Sequence, residues 1–107
     1  MLRHGKLAGD AWRDIGATIA RMHAAGVDHA DLNAHNILLI DEGAVYLIDF
    51  DRGRLRPAPG EWQARNLARL RRSLDKLSGD ERGLYFEETD WEALQSGYRN
   101  ASDRAST

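Results

Sequence analysis

Two short apolar runs, Ile37-Leu38-Leu39-Ile40 and Ala44-Val45-Tyr46-Leu47-Ile48, stand only three residues apart, across Asp41-Glu42-Gly43. Both favour strand, and the glycine between them can take a positive φ, so the spacing predicts one antiparallel hairpin. The longer apolar patterns are helical. Trp12, Ile15, Ile19 and Met22 recur at helical spacing in the segment 10–25, with Asp10 available as N-cap and Gly26 for the left-handed position past the last turn. Leu67, Leu70, Leu74 and Leu77 line one face of 61–77 and Arg65, Arg69 and Arg72 another, and this helix is expected to end near Gly79. A third, shorter helix is expected from Thr89, where Thr89 and Glu92 have capping-box spacing and Trp91, Leu94 and Tyr98 form the buried stripe. Arg56-Pro57-Ala58-Pro59-Gly60 reads as a loop. One small hairpin among three helices is an α+β arrangement, mainly helical. Trp12, Ile15, Ile19, Met22, Leu38, Leu47, Leu67, Leu70 and Leu74 are expected to share its core, with Trp12, Trp62 and Trp91 as anchors.

The chain has 107 residues, 42% of them hydrophobic, which suffices for one compact domain and not for two. The domain is expected over 1–99, with the polar end 100–107 frayed because it offers nothing to bury. Fifteen Lys and Arg against 17 Asp and Glu leave a net charge of -2, so no global field draws the chain onto nucleic acid and any anion site must be local. Without cysteine there is no disulfide framework and no thiolate metal site. No apolar run approaches the length of a membrane span, and no apolar stretch follows the charges at the start, as a signal peptide would require. The expectation is a soluble or at most peripheral protein.

Polar residues crowd both ends of the hairpin. Before it, His29-x-Asp31-Leu32-x-x-x-Asn36 matches the H-x-D-L-x-x-x-N catalytic loop of kinases; after it, Asp49-Phe50-Asp51 sits where those enzymes carry D-F-G. Asn36 follows Asp31 by five positions, and Asp49 begins just past a hairpin that returns the chain toward Asn36. Phosphoryl transfer leaves a protein little covalent work: it must hold Mg²⁺ on the nucleotide phosphates and aim a hydroxyl at the γ-phosphorus, and oxygen ligands suit that cation. In the kinase reading, Asp31 accepts or orients the proton of the attacking hydroxyl. Asn36 and Asp49 bind Mg²⁺ and, through it, ATP, and His29 braces the loop from beneath. Taken singly, Asp31 would read as a cap or turn residue; the register with Asn36 and Asp49 favours catalysis. A zinc cluster of His23, His29, His35 and Asp31 is the rival reading, but those spacings match no zinc signature.

The residues around these motifs are more specific still. The stretch 22–39, with Met22-His23-Ala24-Ala25-Gly26-Val27-Asp28 leading into the loop, and Leu47-Ile48-Asp49-Phe50-Asp51-Arg52-Gly53-Arg54-Leu55-Arg56 resemble the 3-deoxy-D-manno-octulosonic acid (Kdo) kinases of the lipopolysaccharide kinase group. The resemblance extends through Trp62, Asn66-Leu67-Ala68-Arg69-Leu70 and Arg72-Ser73-Leu74-Asp75-Lys76-Leu77. It implies a protein-kinase-like C-terminal lobe. It also implies ATP-dependent phosphorylation of a hydroxyl of Kdo on Kdo–lipid A precursor, in lipopolysaccharide biosynthesis, by a transferase peripheral to the cytoplasmic side of the bacterial inner membrane. Nucleic acid is not expected as a partner, and no protein partner is implied.

Departures from the protein-kinase pattern point to a small or lipid-linked acceptor. Ala30 replaces the arginine that would pair with an activation-loop phosphate, Asn33 the usual lysine, and Asp51 the glycine of the metal motif, and no A-P-E motif follows. Arg52, Arg54 and Arg56 alternate along the chain, so in an extended segment they project to one side, where arginine forks suit carboxylate and phosphate. A solvated basic loop is the other reading of these three. Arg65, Arg69 and Arg72 read as the wet face of a helix, or as contacts to anionic lipid headgroups. The sequence holds no G-x-G-x-x-G, and its only lysines are Lys6 and Lys76, so the phosphate-covering loop and strand lysine of an N-terminal lobe are expected to be absent. These residues alone are then expected to transfer little phosphate. A heptose or aminoglycoside-type kinase, or a non-catalytic fragment binding anionic glycolipid, remain the alternatives.

Overall fold

The computed structural model describes residues 5–6, 9–39, 45–48, 53–57, 60–78 and 84–105. In chain order the elements are β1 (Gly5–Lys6), α1 (Gly9–Ala24), β2 (Val27–Asp28), a 3₁₀ turn (Ala34–Asn36), β3 (Ile37–Leu39), β4 (Val45–Leu47), β5 (Arg54–Leu55), α2 (Glu61–Ser78), β6 (Leu84–Tyr85) and α3 (Glu88–Ala105). The fold is α+β and mostly helical.

The hairpin forms where the apolar runs place it. β3 and β4 are antiparallel with Ile37 opposite Leu47, Leu38 opposite Tyr46 and Leu39 opposite Val45. Cross-strand partners share a face, so this register decides which residues meet the core. Ile37 is fully buried and Leu47 half-buried against the core, whereas Tyr46 is exposed. Ile37 takes an inward place; Leu38, expected in the core, pairs with Tyr46 in the register, and its side chain falls outside the described residues. The turn residues 40–44 also lie outside them.

Among the described residues the hairpin is accompanied by two further two-stranded sheets that periodicity did not foretell, because two residues are too few to alternate visibly. β1 pairs with β6 in parallel, and β2 pairs with β5 antiparallel, Val27 opposite Leu55 and Asp28 opposite Arg54. The second is closed by Gly26, whose φ of 80° suits glycine alone among common residues, and by the hydrogen bond from the Arg56 N–H to the Gly26 carbonyl at 2.7 Å.

α1 buries Trp12, Ile15, Ile19 and His23, and α2 buries Trp62, Asn66, Leu70 and Leu74. With Leu32, Ala34, Ile37, Trp91 and Leu94 the apolar members of these stripes form the core, and Met22, Leu47, Leu67 and Leu77 pack at its margin. Each fully buried large side chain contributes about 1.5–3 kcal/mol. All three tryptophans are buried, as anchors should be.

The third helix departs from expectation. It matches α2 in length instead of being shorter, starts at Glu88, and is capped by Asp90, whose carboxylate accepts the Glu87 N–H at 2.9 Å, rather than by a Thr89–Glu92 box. It also continues to Ala105, through most of the polar end expected to fray. Ala101 and Ser102 are half-buried there, so the end does have something to bury. At the other terminus Asp10 stands in the first turn of α1, paired with Arg13, and not at the cap.

Candidate active site

The segment from β2 to β3 carries the H-x-D-L-x-x-x-N residues, and its local structure follows from its asparagines. Asn33 caps the 3₁₀ turn: its side-chain oxygen accepts the His35 N–H at 2.8 Å, and its backbone N–H donates to Asn36 Oδ1 at 3.2 Å, a reciprocal box. Asn33 Nδ2 also donates to the Asp31 carbonyl at 2.9 Å. Leu32 points into the core with no exposure and anchors the loop from below. The Ala34 N–H donates to Ser73 Oγ of α2 at 2.9 Å. The loop is therefore held by its own side chains on one side and by the helical floor on the other, which leaves Asp31 half-buried at the rim and Asn36 buried.

Both ends of this loop meet the strand that returns from the hairpin. His29 Nε2 donates to the Ile48 carbonyl at 2.8 Å, and the Ile48 N–H donates to the Asn36 carbonyl at 2.9 Å. Ile48, the residue before Asp49, is thus tied at both of its backbone groups. Asp49 itself, with Phe50, Asp51 and Arg52, lies outside the described residues. Among the described residues Asn36 Oδ1 accepts one hydrogen bond, from the Asn33 N–H, and an amide oxygen has two lone pairs.

The arginines separate. Arg54 is exposed, and Arg56 Nε donates to Asp28 Oδ2 at 2.7 Å, binding β5 to β2. On α2, Arg65, Arg69 and Arg72 are exposed, the wet face expected of them. The imidazoles proposed for zinc are dispersed: His35 is exposed, His29 serves Ile48, and His23 lies buried between Tyr98 and Asn66. Among the described residues no three His, Cys, Asp or Glu side chains converge to hold a metal.

The residue that sequence reasoning missed is Asn66. Its Nδ2 donates to Asp28 Oδ1 at 2.7 Å, while its Oδ1 accepts the His29 backbone N–H at 3.0 Å and His23 Nε2 at 3.2 Å. The signal was available: Trp62, Asn66, Leu70 and Leu74 fall four apart on one buried stripe, and an amide among large apolar residues needs partners. Burial alone would raise the Asp28 carboxyl, but the hydrogen bonds from Asn66 and Arg56 outweigh it and hold it below the usual carboxylate value. Burial pushes the His23 imidazole down, so it is neutral.

The model of the lipopolysaccharide kinase (Kdo/WaaP) family matches residues 3–98. The chain belongs to that family. It is 52% identical over 103 residues to a 3-deoxy-D-manno-octulosonic acid kinase of Xanthomonas campestris pv. campestris (strain B100), covering 94% of this chain and 41% of the relative. It is 53% identical over 93 residues to the kinase of the same name from Xylella fastidiosa (strain 9a5c), covering 87% of this chain and 37% of the relative. The similarly named protein of Stenotrophomonas maltophilia (strain K279a) is 50% identical over 96 residues, covering 90% and 38%. The chain thus spans about two-fifths of the length of the curated relatives it matches.

Proposed function

We propose that these residues form the catalytic-loop lobe, the C-terminal one, of a kinase that transfers the γ-phosphate of ATP to a hydroxyl of Kdo on Kdo–lipid A precursor. The enzyme works from the cytoplasmic side of the bacterial inner membrane. The observation that carries the reading is the double tie of Ile48, through its carbonyl to His29 and through its N–H to the Asn36 carbonyl. It sets Asp49 next in chain to a residue already pinned across the loop that holds Asp31.

In this reading the Asp31 carboxylate, at the rim, orients the acceptor hydroxyl and takes its proton as the oxygen attacks the γ-phosphorus, and the bond to the β–γ bridging oxygen breaks to release ADP. Asn36 and Asp49 are the side chains that would hold Mg²⁺; the oxygen donor set fits that cation, which when bound neutralises charge on the phosphates. His29 and the Asn33 box keep these groups from shifting, and displacement of about 1 Å at a reacting group can cost about 10²-fold. Arg52 and Arg54 follow Asp49 in the sequence and would meet the carboxylates or phosphates of the acceptor, while Arg56 is engaged by Asp28.

The test is a chimera in which these residues replace the matching segment of the Xanthomonas campestris kinase, assayed for transfer of radiolabelled phosphate to Kdo–lipid A precursor. Asp31→Ala should lower turnover by about 10²–10⁴-fold with little change in KM for ATP. Asp49→Ala should also raise the Mg²⁺ concentration needed for half-maximal rate. Near-normal turnover of the Asp31→Ala chimera would sink the assignment.

A further inference from the structure

Resting on the phosphoryl-transfer reading, we propose that Asn66 of α2 is a positioning residue for the catalytic loop. Its carboxamide, held in one orientation, sets the backbone at His29 two residues before Asp31. The orientation is fixed by chemistry. The His29 backbone N–H can only donate, so the atom of Asn66 facing it at 3.0 Å is Oδ1, and the opposite end, Nδ2, faces the acceptor-only carboxylate of Asp28 at 2.7 Å. The same Oδ1 lies 3.2 Å from His23 Nε2, so that nitrogen carries the ring proton and Nδ1 accepts from the Tyr98 hydroxyl at 2.7 Å. One amide on α2 thereby locks β2, the loop and, through His23, α1 and α3.

Every group in the chain of bonds has one permitted role. Asn66 and His23 are buried, and Trp62 closes the imidazole with an edge contact at 5.0 Å between ring centroids. The charged or titratable groups facing the amide and the Asp28 carboxylate are His23 from α1, Arg56 beyond β5 and Arg65 on α2, with Tyr98 of α3 reaching them through His23. The network reaches the loop through the bond that Asn66 Oδ1 accepts from the His29 backbone, and so acts on the reaction through where it places that backbone.

This arrangement admits a polarity swap as a test. In the chimera, Asn66→Asp sets a second carboxylate against Asp28, and the pair regains the bond only when one of them carries a proton. Its kcat at pH 8 should fall at least tenfold, with KM for ATP within threefold, and should recover as pH is lowered. In the double variant Asn66→Asp with Asp28→Asn, position 28 donates from Nδ2 and accepts Arg56 at Oδ1, while position 66 accepts His29 and His23. The double variant should return to within threefold of the parent, without the pH dependence.

An unchanged kcat in Asn66→Asp, a loss that does not respond to pH, or a folded double variant that is not rescued would each overturn the proposal. So would a double variant that fails to fold, since every donor in it still faces an acceptor. Should the parent chimera transfer no phosphate, phosphoryl transfer is the reading that fails. Positioning is then decided in the 107-residue chain by hydrogen exchange at the His29 amide: protection should drop at least tenfold in Asn66→Asp and return in the double variant, and unchanged protection overturns it.

Discussion

The part-buried carbonyl of Ile48 accepts from the buried His29 imidazole nineteen residues away, and losing the donor leaves that acceptor without this partner. His29→Phe keeps the ring's bulk and removes the donor. It should destabilise the chain by about 1–3 kcal/mol, read as a lower urea midpoint, and a loss below about 0.5 kcal/mol would show the bond to be dispensable. His29 stands out in the sequence because its spacing to Asp31 and Asn36 is local and carries a motif. Asn66 could not be read the same way: its partners Asp28, His29 and His23 lie 37 to 43 positions away, and no local spacing reveals them. Arg71 is a similar case. Its guanidinium covers Phe86 and Trp91 at 5.6 and 5.3 Å and reaches Glu88 at 2.6 Å, yet in sequence it is one more arginine in an arginine-rich helix.

Helix pairing is set by positions without side chains. α1 and α3 make the most extensive contact between elements, and they approach so closely that a Cβ at Gly16 would collide with the Leu94 backbone and one at Gly97 with the Arg13 backbone. The two glycines face each other's helix in a reciprocal pair. Helix propensity alone favours alanine over glycine by about 1 kcal/mol, so the sign of the effect is informative. Gly97→Ala should nonetheless lower stability by about 1–3 kcal/mol, because backbone must shift to admit the methyl group. Gly9→Ala, whose Cβ would meet only the Arg13 guanidinium at 3.7 Å, should not. Urea midpoints of the two variants check this, and a stabilised Gly97→Ala would refute the close approach. The stripes of Trp12, Ile15, Ile19 and of Leu70, Leu74 were legible because period alone reveals a buried face. The partner of each face was not, nor was the continuation of α3 past Asn100, since both depend on what α1 brings alongside.

The bonds through His23 join all three helices to β2, so protonation there bears on the whole molecule. Burial lowers the His23 imidazole from 6.5, so as pH falls through 6.5 the unfolded chain binds a proton that the folded chain refuses. Stability tracks the protons bound by the unfolded state less those bound by the folded one, and it must therefore decrease with falling pH from about 6.5 until the lower folded value is passed. His23→Gln keeps a donor toward Asn66 and an acceptor toward Tyr98 but does not titrate, so the gap in urea midpoint between the parent and this variant should narrow from pH 8 to pH 5. Asp28 follows the same sign in a lower window. Its carboxyl is held below 3.8 by Asn66 and Arg56 against burial, so its contribution is complete above 3.8 and is lost as pH falls from there through the still lower folded value. The gap between the parent and Asp28→Asn should therefore persist at pH 5, where that of His23→Gln has shrunk. A His23→Gln gap that stays constant over this range would show that the imidazole is not held neutral, and with it that the directed chain of bonds from Tyr98 to Asp28 is not the one that ties the helices together.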